Sequence, residues 1–469
     1  MNTSSDKRSP TVAVVGGGLA GISAGAALAE AGYHVELFER RPYLGGRASS
    51  YEHPGTGEVV DNCQHVLLGC CTNLIDFYQR IGVEQQIRWY DEITFMLPGG
   101  RSSVLKPTIL PAPMHAGPAF LASSVLDFAD KMAISRALLA LMPSLPADDG
   151  QDFLTWLRRH GQTQQSIDRF WAPVLISALN EDLDRVSVRY AALVFRDSFL
   201  KSAEAGRMGL PTVPLSQLYG EAARYIEARG GEVRFRCSVD SISATNESVT
   251  LCVGGEQVRA DYAVLATPFN LLEKLLPDTP ELEPLREQTH FFNTSPITGI
   301  HLWFDRKVTP LEHAVLLERT IQWMFQKSKI LATRRDSDES GSYLELVVSA
   351  SKTLVEKSRA EIIDLAVREL SEFFPAVRGA KLTKATVIKE VHATFSPVPG
   401  SDAYRPSHIS PWPRLFLAGD WTSTGWPSTM EGAVRSGYGA AEALTSATRT
   451  PQQFLVPDLP ARGLMRLFE

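Results

Sequence analysis

TVAVVGGGLAGISAGAALAEAGYHVELFERRPYLGGRASS, residues 11–50, decides how the rest of the chain is read. It opens with the apolar run Val12 to Val15, a pattern that predicts a buried parallel strand. Gly16, Gly18 and Gly21 come next in G-x-G-x-x-G spacing, and an Ala-rich helical run that starts with Leu19 and Ala20 continues to Ala31. A second strand, His34 to Phe38, leads to Glu39, close to where a dinucleotide fingerprint places its acid. The chemistry needs these residue types. Gly16 permits the tight turn, Gly18 lets the backbone approach a pyrophosphate, and Gly21 lets the helix pack closely on the strand. Phosphates then meet free N–H groups at the helix N-terminus, and Glu39 can accept hydrogen bonds from ribose hydroxyls. A glycine-rich core turn would not explain the second strand and its acid. A membrane helix from Val12 to Val35 would not explain the glycine cluster. The stretch is a nucleotide site.

The residues after Glu39 narrow the nucleotide. Arg40 and then Gly45-Gly46-Arg47 resemble the E-x(5)-G-G-R extension of FAD enzymes in the flavin amine oxidase and phytoene desaturase superfamily. The resemblance implies FAD rather than NAD, with the paired glycines passing close to the flavin and Arg47 neutralising the diphosphate. Further on, EVVDNCQHVLLGCC (58–71) carries Asp61, Gln64 and His65. The superfamily often reads D-x-G-x-H there, beside the isoalloxazine ring. Asp61 and His65 keep that spacing, while Cys63 replaces the glycine. Gln64 and His65 are accordingly assigned to the cofactor site. The segment Glu232 to Cys237 reads as a strand leading to Val239, which the resemblance carries over as an adenine contact. Near the C-terminus stands RLFLAGDWTSTGWPSTMEGAVRSG (414–437). It predicts a buried strand, Leu415 to Ala418, ending at Gly419-Asp420, where a carboxylate can bind ribityl or bridge to the diphosphate region. Thr429 and Met430 then start a long helix whose N–H groups can stabilise negative charge on the flavin.

With 469 residues the chain can hold two domains with sizeable cores, and a formal net charge of −6 gives no case for nucleic acid. MNTSSDKRSP (1–10) lacks the apolar centre of a signal peptide, and no later run reads as a clear spanning helix. Five cysteines form no metal-ligand pattern, so a cytosolic protein with reduced thiols is expected.

The reading is an α/β fold: a Rossmann-like FAD-binding domain interleaved with a mixed β-sheet substrate domain and a helical, membrane-facing subdomain. The FAD domain takes residues 1–75, 207–290 and 410–447. The substrate domain takes 76–206, with the helical insertion, and 291–409, and 448–469 form a tail. A hairpin is expected around Pro98-Gly99-Gly100, and strands at Val249 to Cys252, Val258 to Leu265, Thr298 to Phe304, Ile321 to Phe325, Tyr343 to Ser349 and Val387 to Thr394. Helices are expected at about Lys131 to Leu141, Ser166 to Ile176 and Val188 to Leu200. Phe120 to Phe128 and the tail around Phe454, Leu455, Leu464, Leu467 and Phe468 are the expected contacts with a bilayer surface.

DNCQHVLLGC (61–70), Ala393 to Phe395 and LAGDWTSTGWPSTMEGAVRSG (417–437) are together similar to the hydroxysqualene dehydroxylases, or squalene-associated FAD-dependent desaturases, of bacterial hopanoid pathways. That resemblance implies reduction of hydroxysqualene to squalene with loss of water, using reduced FAD and an unidentified electron donor. It also implies an enzyme held peripherally on the inner face of the cytoplasmic membrane. Asp61 and His65 are the ionisable pair expected near the flavin, either as acid or as orienter of a water. A carotenoid-type desaturase and a flavin amine oxidase are the alternatives. The second is disfavoured by Thr429 where many amine oxidases place a cage tyrosine, and by Thr298 near where they place a lysine. A non-catalytic flavin-binding scaffold would not need the large apolar second domain.

Overall fold

Thr11–Val15, wholly apolar after its first residue, lies at the centre of a five-stranded parallel sheet. The sheet order is Glu232–Phe235, His34–Glu39, Thr11–Val15, Tyr262–Leu265, Leu415–Leu417. Every neighbouring pair is parallel, so the strands are buried on both faces and read as continuous apolar runs. The computed structural model describes residues 9–332 and 341–468. Most of the N-terminal segment read above as lacking a signal peptide lies outside the described residues. Leu19–Glu30, Leu215–Glu227 and Met430–Ala447 pack over one face. Leu19–Glu30, rich in alanine and glycine, packs on the C-terminal helix Met430–Ala447, and glycines allow the approach. A Cβ at Gly437 would stand 2.3 Å from the Ala20 carbonyl oxygen.

A second sheet has seven strands among the described residues, ordered Leu382–Phe395, Thr294–Phe304, Ser342–Ser349, Trp323–Gln326, His313–Leu316, Ile93–Met96, Ser102–Leu105. Its pairings are antiparallel except that between His313–Leu316 and Ile93–Met96. The expected hairpin is present, its turn made by Gly99 and Gly100 at φ +85° and +89°. One face of the sheet carries the core of Ile300, Leu302, Leu344 and Leu346 beneath helix Arg359–Phe373. The opposite face turns towards the nucleotide domain.

The helical insertion packs on the second sheet, sharing a core that includes Leu97, Val315 and Leu317. Phe128–Leu141 starts earlier than the pattern suggests because Asp127 and Asp130 form a reciprocal capping box. The expected helices Ser166 to Ile176 and Val188 to Leu200 each contain a wide five-residue turn, at Ile167–Trp171 and Arg196–Leu200. The expected strand Val258 to Leu265 is two strands. Glu256–Ala260 closes a three-stranded antiparallel meander, and Tyr262–Leu265 enters the parallel sheet. The break falls at Asp261, whose Oδ2 accepts from the Thr11 N–H at 2.8 Å. The tail is stitched to both bodies. Val456 N–H donates to Asn73 Oδ1 at 3.0 Å, and Leu464 N–H to the Ala112 carbonyl at 2.9 Å. No helix among the described residues is long and apolar enough to cross a membrane.

Candidate active site

A cavity of about 1080 Å³ extends from the glycine turn, between the two domains, into the helical insertion. Gly16, Gly18, Leu19, Ala20, Glu39, Arg40, Gly46, Arg47, Gln64, His65, Val239, Gly419, Asp420, Thr429 and Met430 all line it. Of the residues assigned to the cofactor, Gly21 does not. Its place is explained by packing, since a Cβ there would stand 1.8 Å from the Gly16 carbonyl oxygen.

The walls near the glycine turn fit a dinucleotide. Gly18 caps the helix without a side chain, and a Cβ at that position would meet nothing closer than the Gly46 Cα at 3.9 Å. The room in front of the helix is therefore open, with the N-terminal N–H groups facing it. Glu39 is anchored at the rim: it accepts from Gly17 N–H at 2.7 Å and Arg41 N–H at 2.8 Å, with lone pairs left for ribose hydroxyls. The two sequence signatures meet directly, because Arg47 Nη2 contacts Asp420 Oδ1 at 2.5 Å. Arg47 also donates to the Ala393 carbonyl at 2.9 Å, and Ser428 donates to the other Asp420 oxygen. Thr429 caps the C-terminal helix by accepting from Gly432 N–H at 3.1 Å, which aims that helix's positive end at the cavity.

Beyond the cradle the lining turns apolar. Phe95, Phe120, Phe170, Phe199, Trp323 and Phe325 contribute rings, and Trp323 and Phe325 stack at 5.4 Å. Asn180 ties this region together from a left-handed helix end (φ +53°): its amide reaches the Ser295 carbonyl and Thr394 Oγ1, and its oxygen accepts from Ala350 N–H. A polar residue between two apolar helical patterns is the sequence signal that marks it.

The expected acid pair divides. His65 lines the cavity, but its Nδ1 lies 2.8 Å from the Cys63 carbonyl, so Nδ1–H donates there and Nε2 is an acceptor. Burial pushes the imidazole down from its usual value, so the ring is neutral and can accept a hydrogen bond from a hydroxyl. Asp61 does not line the cavity. Its carboxylate accepts from Lys327 Nζ at 2.7 Å and Ser50 Oγ at 2.6 Å. Burial alone would raise this carboxyl, but the Lys327 charge and hydrogen bond, with that from Ser50, hold it below its usual range. A carboxylate held ionised behind the wall has no proton to give, which corrects the reading of Asp61 as the acid.

Lys327 and Glu345 are not legible in sequence as part of this region. Glu345 is fully buried, 3.3 Å from Lys327, and burial raises its carboxyl to about 8 despite the ammonium. The native protein thus keeps this proton between about pH 4.5 and 8, where the unfolded chain releases it. Stability falls as pH rises through that window, at up to about 1.4 kcal/mol per pH unit for one proton. Glu345→Gln is expected to remove that loss. Thermal midpoints of the two proteins should diverge in favour of the variant across that window and then run parallel. Parallel curves throughout would mean that Glu345 ionises normally.

The comparisons agree with this geometry. The family model described as flavin containing amine oxidoreductase matches residues 19–445. The chain is 28% identical to a 15-cis-phytoene desaturase of Synechococcus elongatus over 464 residues, covering 92% of this chain and 95% of the relative. It is 29% identical to a zeta-carotene desaturase of Synechocystis over 478 residues, with 92% and 96% covered. Among solved structures, an oxidoreductase from Methanosarcina mazei superposes with a TM-score of 0.70 at 16% identity, covering 91% and 98% of the two chains. Cyclohexylamine oxidase from Brevibacterium oxydans gives 0.65 at 18%, with 94% and 100% covered. The chain belongs to the flavin-containing amine oxidoreductase family and is an FAD-dependent oxidoreductase.

Proposed function

We propose that the protein reduces hydroxysqualene to squalene with loss of water. The supporting observation is the continuous cavity that joins the nucleotide cradle to an apolar, aromatic-lined chamber and ends among exposed apolar side chains. Leu139 belongs to both, since it lines the cavity and is 63% exposed. Such a chamber suits a long isoprenoid and suits an ammonium poorly. Reduced FAD, when bound, would supply the hydride; the C–O bond would break, a C–H bond would form at the same carbon, and the hydroxyl would leave as water with a proton taken up from solvent. The apolar wall keeps bulk water from an electron-poor allylic carbon. Neutral His65, with Nε2 as acceptor, orients the hydroxyl or a water beside it rather than donating.

The desaturase relatives support a second reading, in which electrons run from substrate to flavin. Anaerobic mixing separates the two. Photoreduced holoenzyme mixed with hydroxysqualene should reoxidise and yield one squalene per flavin. If it stays reduced, and oxidised holoenzyme is bleached by phytoene instead, the dehydroxylase reading fails.

The same reading includes work at a membrane surface, on the inner face of the cytoplasmic membrane. Each CH₂ of a long isoprenoid costs about 0.8 kcal/mol to expose to water, so collection from a bilayer is favoured. Within the expected contacts Leu121 and Phe128 are exposed, at 67% and 79%, while Val125 and Leu126 are buried and Phe120 packs on Phe170. In the tail Leu464 and Leu467 are exposed, but Phe454 is buried against Tyr438. Ile109 and Leu110 extend the exposed set. Replacing Leu121, Phe128 and Leu467 together by Asp should release the protein from sedimenting anionic liposomes and leave its FAD content unchanged. Undiminished co-sedimentation would remove this patch from the proposal.

A further inference from the structure

Behind the cavity wall one side chain ties the second sheet to the loop after Asp61. Lys327 stands on the short turn Lys327–Ile330, directly after the strand Trp323–Gln326, and is 1% exposed. Its ammonium donates to Asp61 Oδ2 at 2.7 Å and to Gln64 Oε1 at 2.8 Å, and lies 3.3 Å from Glu345 Oε2. Asp61, Lys327 and Glu345 all stand outside the cavity, whereas Gln64 lines it.

This arrangement decides which way Gln64 points. An ammonium carries donors and no acceptor, so it binds the oxygen of a carboxamide and never its nitrogen. Oε1 therefore turns inward to Lys327, and Nε2 is left on the other side. One Nε2 hydrogen goes to the His65 carbonyl at 3.0 Å, and the second remains for an acceptor in the cavity. The loop itself is fastened to the nucleotide cradle, because Asn62 Nδ2 donates to the Arg47 carbonyl at 2.6 Å. The charge behind the wall is also balanced. Lys327 faces the Asp61 carboxylate from one side and Glu345 from the other, while His301, opposite Glu345 in the sheet, bonds through Nδ1 to the Tyr343 hydroxyl.

We propose that Lys327 is a positioning residue which, acting through Gln64, fixes a hydrogen-bond donor rather than an acceptor on the cavity wall beside the nucleotide cradle. The acceptor it serves is a heteroatom of the bound flavin, and a donor there favours the reduced, anionic form. The proposal concerns the flavin and holds whichever substrate enters the cavity.

The test uses FAD-loaded protein and reads the midpoint potential of the flavin by equilibration with redox dyes. Gln64→Leu leaves Lys327 paired with Asp61, so it should fold and keep FAD, with a potential more negative than wild type. Lys327→Met combined with Asp61→Asn removes the charges as a pair and frees the carboxamide to turn, so it should shift the potential the same way. Adding Gln64→Leu to that pair should bring no further shift, because both changes remove one donor. A wild-type potential in Gln64→Leu would overturn the proposal. So would a triple variant whose shift is the sum of the other two, which would make the role of Lys327 structural and independent of Gln64. Neither result bears on whether hydroxysqualene is the substrate, since no substrate is present.

Discussion

Gly18→Val is expected to fold, to purify without colour, and to take up no FAD on titration. The structure separates this outcome from a simple folding defect. A Cβ at Gly18 would lie 3.9 Å from its nearest neighbour, the Gly46 Cα, an ordinary contact that displaces nothing in the protein. The space a valine would fill is the space the diphosphate needs, directly in front of the helix N-terminus. Gly21 is the contrasting position. Its Cβ would stand 1.8 Å from the Gly16 carbonyl oxygen, so Gly21→Val should disturb the strand–helix packing itself. Circular dichroism and flavin absorbance on both variants test the distinction. A Gly18→Val protein with normal flavin occupancy would contradict the placement of the cofactor.

Lys327→Met is expected to be the most destabilising single change at the domain junction. Removing one partner of a buried ion pair costs about 3–5 kcal/mol, because the other charge is left without compensation. Asp61 is that other charge, 5% exposed and ionised by virtue of Lys327. Adding Asp61→Asn to Lys327→Met should therefore recover most of the loss, even though it removes a second polar partner. Thermal midpoints of the two variants test this. If the double variant is no more stable than Lys327→Met, the defect lies in packing around the lysine and not in its charge.

The nucleotide half of the site is legible in the sequence because its devices are local. A tight turn, a close helix approach and a terminal acid each impose a residue type at a fixed offset, so Gly16, Gly21 and Glu39 can be placed from their spacing alone. The helix at Thr429 is legible for the same reason, since its cap is three residues from the N–H it satisfies. The polar cluster is not legible, because Lys327 and Asp61 are 266 residues apart and no spacing rule joins a lysine on the turn after one strand to an aspartate at the end of another. For Asp61 the sequence marks the position and misleads about the role: its neighbour in space, not in sequence, decides that it stays ionised. The split of Val258 to Leu265 has no signal because both halves are β-rich, and the boundary at Asp261 is set by a bond to Thr11. Wide turns such as Arg196–Leu200 leave the apolar periodicity close to that of an ordinary helix, so nothing in the pattern announces them.

The contact between Arg47 and Asp420 also governs when the protein can become a flavoprotein. Translation delivers Arg47 and the glycine turn before it 373 or more residues ahead of Asp420, and the helix Met430–Ala447 follows later still. At roughly 5–20 residues per second, the other four strands wait about 8–30 s for Leu415–Leu417 after Leu265 is made. During that interval the strand Tyr262–Leu265 has an unpaired edge, and the alanine-rich helix Leu19–Glu30 lacks the partner it will pack on. The Arg47–Asp420 side of the cradle is therefore complete only after the final strand is in place. A fragment ending before Leu415 lacks both the final strand and Asp420, and is expected to take up no FAD on titration.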